Sequence, residues 1–248
     1  MLFEYLLLLL LGHILGDFYF QTEIIAKLKD QKYMGVLWHS LEYFGAGILV
    51  MLPVFSVEML SAALFAAIMH FVIDTIKYLL LKVRRINKNG KTFILDQMLH
   101  VISILILSYI MYIFNFNISH FSIVNNIFIA FGIDKLVLIK WIISILILHI
   151  PSNILIQNLL NGYKTQKSDG QIIEVDNKAG RKIGTIERLI MLMFISMDQY
   201  AAMGLVLTAK SIARYDRITK DEKFAEYYLL GTLLSTAMVV ACKVIFFT

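Results

Sequence analysis

The stretch LFEYLLLLLLGHILGDFYFQ, residues 2–21, decides the fold. Leu6 to Leu11 form an unbroken apolar run, and the whole stretch has the roughly 20-residue length that a helix needs to cross a bilayer. Yet His13, Asp17 and Gln21 follow one another at four-residue intervals, which puts them on one helix face about one turn apart. A charged group in hydrocarbon costs about 2.5 kcal/mol or more on insertion scales, so it is normally paired or kept for function.

The rest of the chain has the same character. Of its 248 residues 59% are hydrophobic and 17% charged, and the mean hydropathy is +0.74. A soluble domain is about 45–50% apolar. The sequence therefore predicts an all-α, polytopic transmembrane helix bundle. No basic segment precedes the first apolar run and no small-residue cleavage site follows it, so it reads as a retained span. Cys242 is the single cysteine, which excludes an intrachain disulfide framework and a thiolate zinc site. The net charge of +5 is read as loop lysine and arginine at the cytoplasmic face, and no nucleic-acid partner is expected.

About seven helices are predicted: residues 2–21, 34–52 (ended by Pro53), 60–81, 92–114, 136–160 (kinked at Pro151), 183–207 and 224–246. The organisation expected is a four-helix membrane domain over 1–115, a fifth span with its polar connection over 116–182, and a C-terminal helical membrane region over 183–248. A short interfacial helix is expected after the polar turn NFNISHFSIVNN. Lys27, Lys29 and Lys32, then Lys82, Arg84, Arg85, Lys88 and Lys91, place two connections in the cytoplasm and the N-terminus outside. Lys210, Arg214, Arg217, Lys220 and Lys223 break that pattern if the sixth helix is a single crossing.

The four-residue spacing recurs as His70 with Asp74 and Asp96 with His100, while the second span carries His39 with Glu42 a turn on. These positions fall late, early, late and early in four consecutive spans, and alternate directions turn that sequence into one depth. Four helices in an up-down bundle would converge His13, Asp17, His39, His70, Asp74, Asp96 and His100 on one polar site near the cytoplasmic boundary. Imidazole and carboxylate are the ligands of a divalent metal in sites without cysteine, zinc first, with manganese or iron as alternatives. Seven groups exceed the needs of one tetrahedral ion and suit two.

Lys77 shares the His70 face, where it would neutralise a phosphate or merely snorkel to the interface. Gln21 continues the His13 and Asp17 stripe as a candidate hydrogen-bond donor to substrate. Gln97 points about 100° away from Asp96 and has the weaker case. In the second half Lys210 and Arg214 share a face and are candidates for an anionic head group, with interhelical ion pairs as the plainer reading. His120 and His149 are read as packing or turn residues. Asp198 needs a partner or water, and Thr232 and Ser235 beside Gly231 read as close-packing positions.

The segments GHILGDFYFQ, HSLEYF, HFVIDTIKY, DQMLH, GTIERLI, TAKSIARY and EYYLLGTLLS together resemble a bacterial membrane-protein family of unknown function, which brings no activity with it. HILGD is also similar, more distantly, to the His-x-x-Gly-Asp stretch of the zinc-dependent phospholipase C and single-strand nuclease superfamily. That likeness implies metal ligation by His13, Asp17 and His39. The chain departs from it in lacking the Pro-x-His that follows and an N-terminal tryptophan ligand.

The function expected is metal-dependent hydrolysis of a phosphoester in a lipid or membrane-proximal substrate, at the cytoplasmic side of a bacterial inner membrane. In it the metal activates water, Asp96 serves as base and Lys77 or Arg214 neutralises developing charge. A transporter or proton-coupled carrier is the second expectation, although no repeat relates the halves. A non-catalytic membrane scaffold is the third.

Overall fold

A computed structural model describes residues 1–54, 56–87, 89–118, 121–160 and 178–247. Among these the chain is helical throughout, with no strand, and it divides into two compact units, Met1–Ile143 and Ser144–Thr248. Among the described residues six helices are long and apolar enough to cross a bilayer, as expected of a multi-pass membrane protein.

In the first unit α1 (Leu2–Ile14) runs directly into a π-helical turn, Leu15–Phe20. The amphipathic α2 (Glu23–Gln31) starts at Thr22, whose hydroxyl accepts from the Ile25 N–H at 3.3 Å. Helix α3 (Tyr33–Met51) passes into a 3-10 turn, Leu52–Val54, at Pro53. Side-chain caps also open α4 (Val57–Lys82), where Ser56 accepts from the Met59 N–H at 3.1 Å, and α5 (Gly90–Ile113), where Asn89 accepts from the Thr92 N–H at 2.9 Å. The connections are short, so neighbours run antiparallel. Around the ring α1 lies against α3 and α5, α4 lies against the same two, and α2 packs outside on α3 and α4.

Small residues set these approaches. A Cβ on Gly12 would stand 3.6 Å from the Gly47 Cα, and one on Gly47 would stand 3.4 Å from the Ala63 Cβ. Between helices in lipid there is no hydrophobic driving force, so close van der Waals contact at such positions does the holding. The tightest place is Gly35, where a Cβ would lie 2.3 Å from the Leu28 carbonyl carbon. Only glycine lets α2 and α3 meet there. One end of the ring is filled by Tyr5, Leu8, Leu9, Val50, Met51, Met59, Ala62, Ala63, Ile104, Leu107 and Met111. The Tyr5 hydroxyl, at that end, donates to the Phe116 carbonyl. The short α6 (Ser122–Ala130) has no buried residue, and α7 (Lys135–Leu159) begins in this unit.

The second unit holds the rest of α7 with α8 (Lys178–Ser196), α9 (Tyr200–Ile212), α10 (Tyr215–Lys220) and α11 (Glu222–Phe247). Pro151 lacks an N–H for the Ile147 carbonyl, and the Ser152 hydroxyl donates to that carbonyl at 2.7 Å instead. The end of α7 meets α11 where the Leu160 Cδ1 comes within 3.4 Å of a Cβ built on Gly231. Further back along α7, Leu148 and Asn153 are tied through Arg188 to Ser235, further along α11. The two helices therefore run antiparallel.

The single sixth helix predicted over 183–207 is two helices. The chain breaks at Met197 to Gln199, where Asp198 takes a left-handed conformation (φ 55°) and the Gln199 N–H closes on the Phe194 carbonyl at 2.8 Å. Helix α9 then returns along α8, and Lys210 reaches Glu187 at 2.6 Å. Antiparallel α7 and α11 start and finish the intervening chain at the same end of this unit, which a hairpin satisfies and a single crossing does not.

Candidate metal centre

The π-helical turn positions the first carboxylate. An extra residue in the turn is a common device at functional sites, and here it carries Asp17. Gly16 makes room for it, since a Cβ there would meet the Tyr43 ring at 2.8 Å. Asp17 is 8% exposed and accepts from three helices. Its Oδ1 stands 2.9 Å from the His39 Nε2 and 2.9 Å from the His70 Nε2, and its Oδ2 accepts from the Gln97 amide at 3.1 Å. With Nε2–H donating, His39 Nδ1 is left to accept from the Gln21 amide at 3.2 Å. Glu42 Oε2 lies 3.9 Å from the same nitrogen, at the partly exposed rim.

Asp74, Asp96 and His100 are arranged differently. Asp74 Oδ1 and Asp96 Oδ1 lie 3.6 and 3.7 Å from the His100 Nε2. None of these three atoms has a hydrogen-bond partner, and their residues are 1%, 5% and 1% exposed. The outer oxygens face ammonium groups: Asp74 Oδ2 is 3.0 Å from Lys29 Nζ, and Asp96 Oδ2 accepts from Lys77 Nζ at 2.7 Å. Asp74 Oδ2 also stands 3.5 Å from His70 Nδ1 and 3.6 Å from His39 Nε2. The His70 and His100 rings stack at 4.1 Å between centroids, Tyr43 stacks on the other face of His70 at 3.9 Å, and His13 sits 5.4 Å from the His100 ring.

All seven histidines and aspartates singled out in the sequence lie in this one cluster, as three overlapping groups whose ligand atoms come within 4.8 Å: His13, Asp17 and His70; His39, His70 and Asp74; Asp74, Asp96 and His100. Buried polar atoms without partners are costly, and a divalent cation is one group able to satisfy nitrogen and oxygen acceptors together. Gln21 and Lys77 border the cluster. Lys210 and Arg214 belong to the second unit, where Lys210 pairs with Glu187 and Arg214 is exposed before α10. His149 is exposed on α7, and His120 lies outside the described residues.

Sequence reasoning missed Lys29 and undervalued Gln97. Lys29 reads as a loop lysine, yet it is 8% exposed because Gly35 brings α2 down onto the bundle. Burial alone would lower its pKa; Asp74, Asp17 and Asp96 outweigh that and hold it above the ordinary lysine range. The available signal was electrostatic, since three buried carboxylates beside one lysine call for another cation. The second unit has its own buried cation, Arg188 on α8. It is 2% exposed and donates to the Leu148 carbonyl at 2.7 Å, to Asn153 at 2.6 Å and to Ser235 at 3.3 Å.

A family model described as a protein of unknown function, DUF3307, matches residues 5–129, so the chain belongs to that family. No curated protein and no solved structure matches it.

Proposed function

We propose that this DUF3307 member is an integral-membrane, divalent-metal-dependent hydrolase of the phosphoester type, acting on a lipid or membrane-proximal substrate. The carrying observation is the set of buried, partnerless ligand atoms on Asp74, Asp96 and His100 beside a second His/Asp group. Zinc suits this donor set, with manganese or iron as alternatives. A bound divalent ion supplies Lewis acidity and lowers the pKa of a water held on it.

The protein side chains do the rest. Asp17 fixes the His39 and His70 rings from one carboxylate oxygen, so these imidazoles cannot rotate freely. Asp96 has one oxygen held by Lys77 and the other, without a partner, turned toward His100. Lys77, partly exposed, brings positive charge to where a phosphate would enter. Gln21 donates at the rim; in the second unit, exposed Arg214, and Lys210 paired with Glu187, suit anionic head groups. The reading places the cluster toward the cytoplasmic side of a bacterial inner membrane with the N-terminus outside; Lys27, Lys82, Arg84, Arg85 and Lys91 support that orientation.

Elemental analysis of the purified full chain, paired with hydrolysis of phosphodiester and phospholipid substrates in micelles, tests this. Bound transition metal, with turnover abolished by chelation and restored by zinc, is expected; protein purified without any bound metal and unable to take it up overturns it. The continuous Asp17, His39 and His70 hydrogen bonds also support a proton- or cation-carrier reading. Cation flux in proteoliposomes without substrate turnover would favour that alternative.

A further inference from the structure

The cluster contains two kinds of spacing. Around a tetrahedral zinc with ligands at about 2.0–2.1 Å, ligand atoms stand roughly 3.4 Å from one another. Asp17 Oδ1 stands 2.9 Å from each of its two imidazole nitrogens, which is a hydrogen-bond distance. His100 Nε2 stands 3.6 and 3.7 Å from its two carboxylate oxygens, too long for hydrogen bonds and a few tenths of an ångström from a metal-ligand edge. The Asp17 carboxylate is already satisfied through His39, His70 and Gln97, while His13 Nδ1 and His70 Nδ1 beside it have no partner. Asp74 Oδ1, Asp96 Oδ1 and His100 Nε2 are buried atoms without partners that face one another; the nearby Asp74 Oδ2 and His70 Nδ1 stand 3.5 Å apart, with Lys29 at that oxygen.

Charge limits how many ions the whole cluster takes. Asp17, Asp74 and Asp96 meet Lys29 and Lys77, and Glu42 adds one carboxylate at the rim. With neutral imidazoles the cluster carries an excess of two negative charges. One divalent ion cancels that excess, and a second would leave two positive charges uncompensated among buried groups. The lysines are not in the way of an ion. Each grips the outer oxygen of its carboxylate and leaves the inner oxygen turned toward His100.

Resting on the metal-dependent reading above, we infer that the centre takes one divalent ion and not two, seated between Asp74 Oδ1, Asp96 Oδ1 and His100 Nε2. Lys29 and Lys77 are the positioning residues that hold both carboxylates monodentate and set the charge for a single ion. Asp17, His39 and His70 form the hydrogen-bonded wall beside it. His13, whose Nδ1 has no partner, lines the His100 side and is not one of the three ligands.

The experiment is metal stoichiometry on the full chain in detergent, stripped by chelation and dialysed against zinc, with circular dichroism reporting the fold of each variant. One equivalent per wild-type chain is expected, lost in His100→Gln and kept in His13→Gln. The double variant Lys29→Met/Lys77→Met, with two more uncompensated negative charges, is expected to take a second equivalent, and Lys29→Arg/Lys77→Arg to return to one. Cobalt substitution adds a spectroscopic readout: the visible absorption of the bound ion should be unchanged in His13→Gln and altered in Lys29→Met. Two equivalents in the wild type overturn this inference and leave the metal-dependent reading standing, whereas none overturns that reading itself. Loss of the ion in His13→Gln with retention in His100→Gln puts the seat in the wrong place. A double methionine variant that folds and still binds one equivalent overturns the role of the lysines.

Discussion

The two ends of the α1, α3, α4 and α5 ring are built from the same four helices and hold together differently. At one end Leu8, Val50, Met59, Ala63, Leu107 and Met111 fill the interior without direction or charge. At the other, Asp17 alone draws donors from α3, α4 and α5 onto one carboxylate. An apolar contact tolerates a shift of an ångström, and a 2.9 Å hydrogen bond does not. The apolar end therefore supplies adhesion, while the polar end supplies register and rotation. In a bilayer this division matters more than in water, because lipid competes equally well for apolar side chains.

Substitutions can break that comparison, beginning with the largest effect. Asp17→Ala leaves His39, His70 and Gln97 without their shared acceptor, and breaking a buried network of this kind costs about 3–5 kcal/mol. Equilibrium unfolding in mixed micelles measures it; a loss below about 1 kcal/mol would mean that the polar end does not hold the ring. Metal linkage comes next. At 100-fold excess over Kd, zinc should stabilise the folded chain by about 2.7 kcal/mol, read as a thermal shift that vanishes in His100→Gln. A shift that persists in His100→Gln would move the stabilising ion elsewhere.

The apolar end should respond in stability alone. Met59→Ala removes a fully buried side chain and is expected to cost about 2 kcal/mol with no change in metal content. If metal is lost as well, the two ends are coupled and the division of labour above is wrong. The smallest effect belongs to Gly12→Ala, whose added Cβ would sit at an ordinary 3.6 Å from the Gly47 Cα. A stability change within about 0.5 kcal/mol is expected, and a severe loss would show that the α1 and α3 crossing has no room even for a methyl group.

The spacing of His70 with Asp74 and of Asp96 with His100 could be read directly from the sequence, because α4 and α5 are regular helices there. Asp17 was harder. A regular helix through residues 15–20 would keep it under His13, and only the π-helical turn, made possible by Gly16 against Tyr43, fixes where its carboxylate points. Gln97 illustrates the limit of face arguments: it lies about 100° from Asp96 on its own helix, yet it reaches Asp17 because α1 is the neighbour on that side. The interruption at Met197 to Gln199 carries neither proline nor glycine, and Asp198, a residue type that tolerates the left-handed conformation, is its local signal. The break is fixed by the pairing of Lys210 with Glu187 and by the antiparallel α7 and α11 of the same unit.

By itself, the sequence determined a helical, membrane-suited chain and the identity of the polar groups its helices must carry, because apolar length and four-residue periodicity are local properties. Tertiary structure decided which of those groups satisfy one another and which do not. It brought Lys29 out of a connection and onto Asp74, set Asp17 at hydrogen-bond distance from two imidazoles, and left Asp74, Asp96 and His100 facing each other at ligand spacing. These are distances between helices, set by where Gly12, Gly16, Gly35 and Gly47 permit close approach. No periodicity within a single helix encodes them.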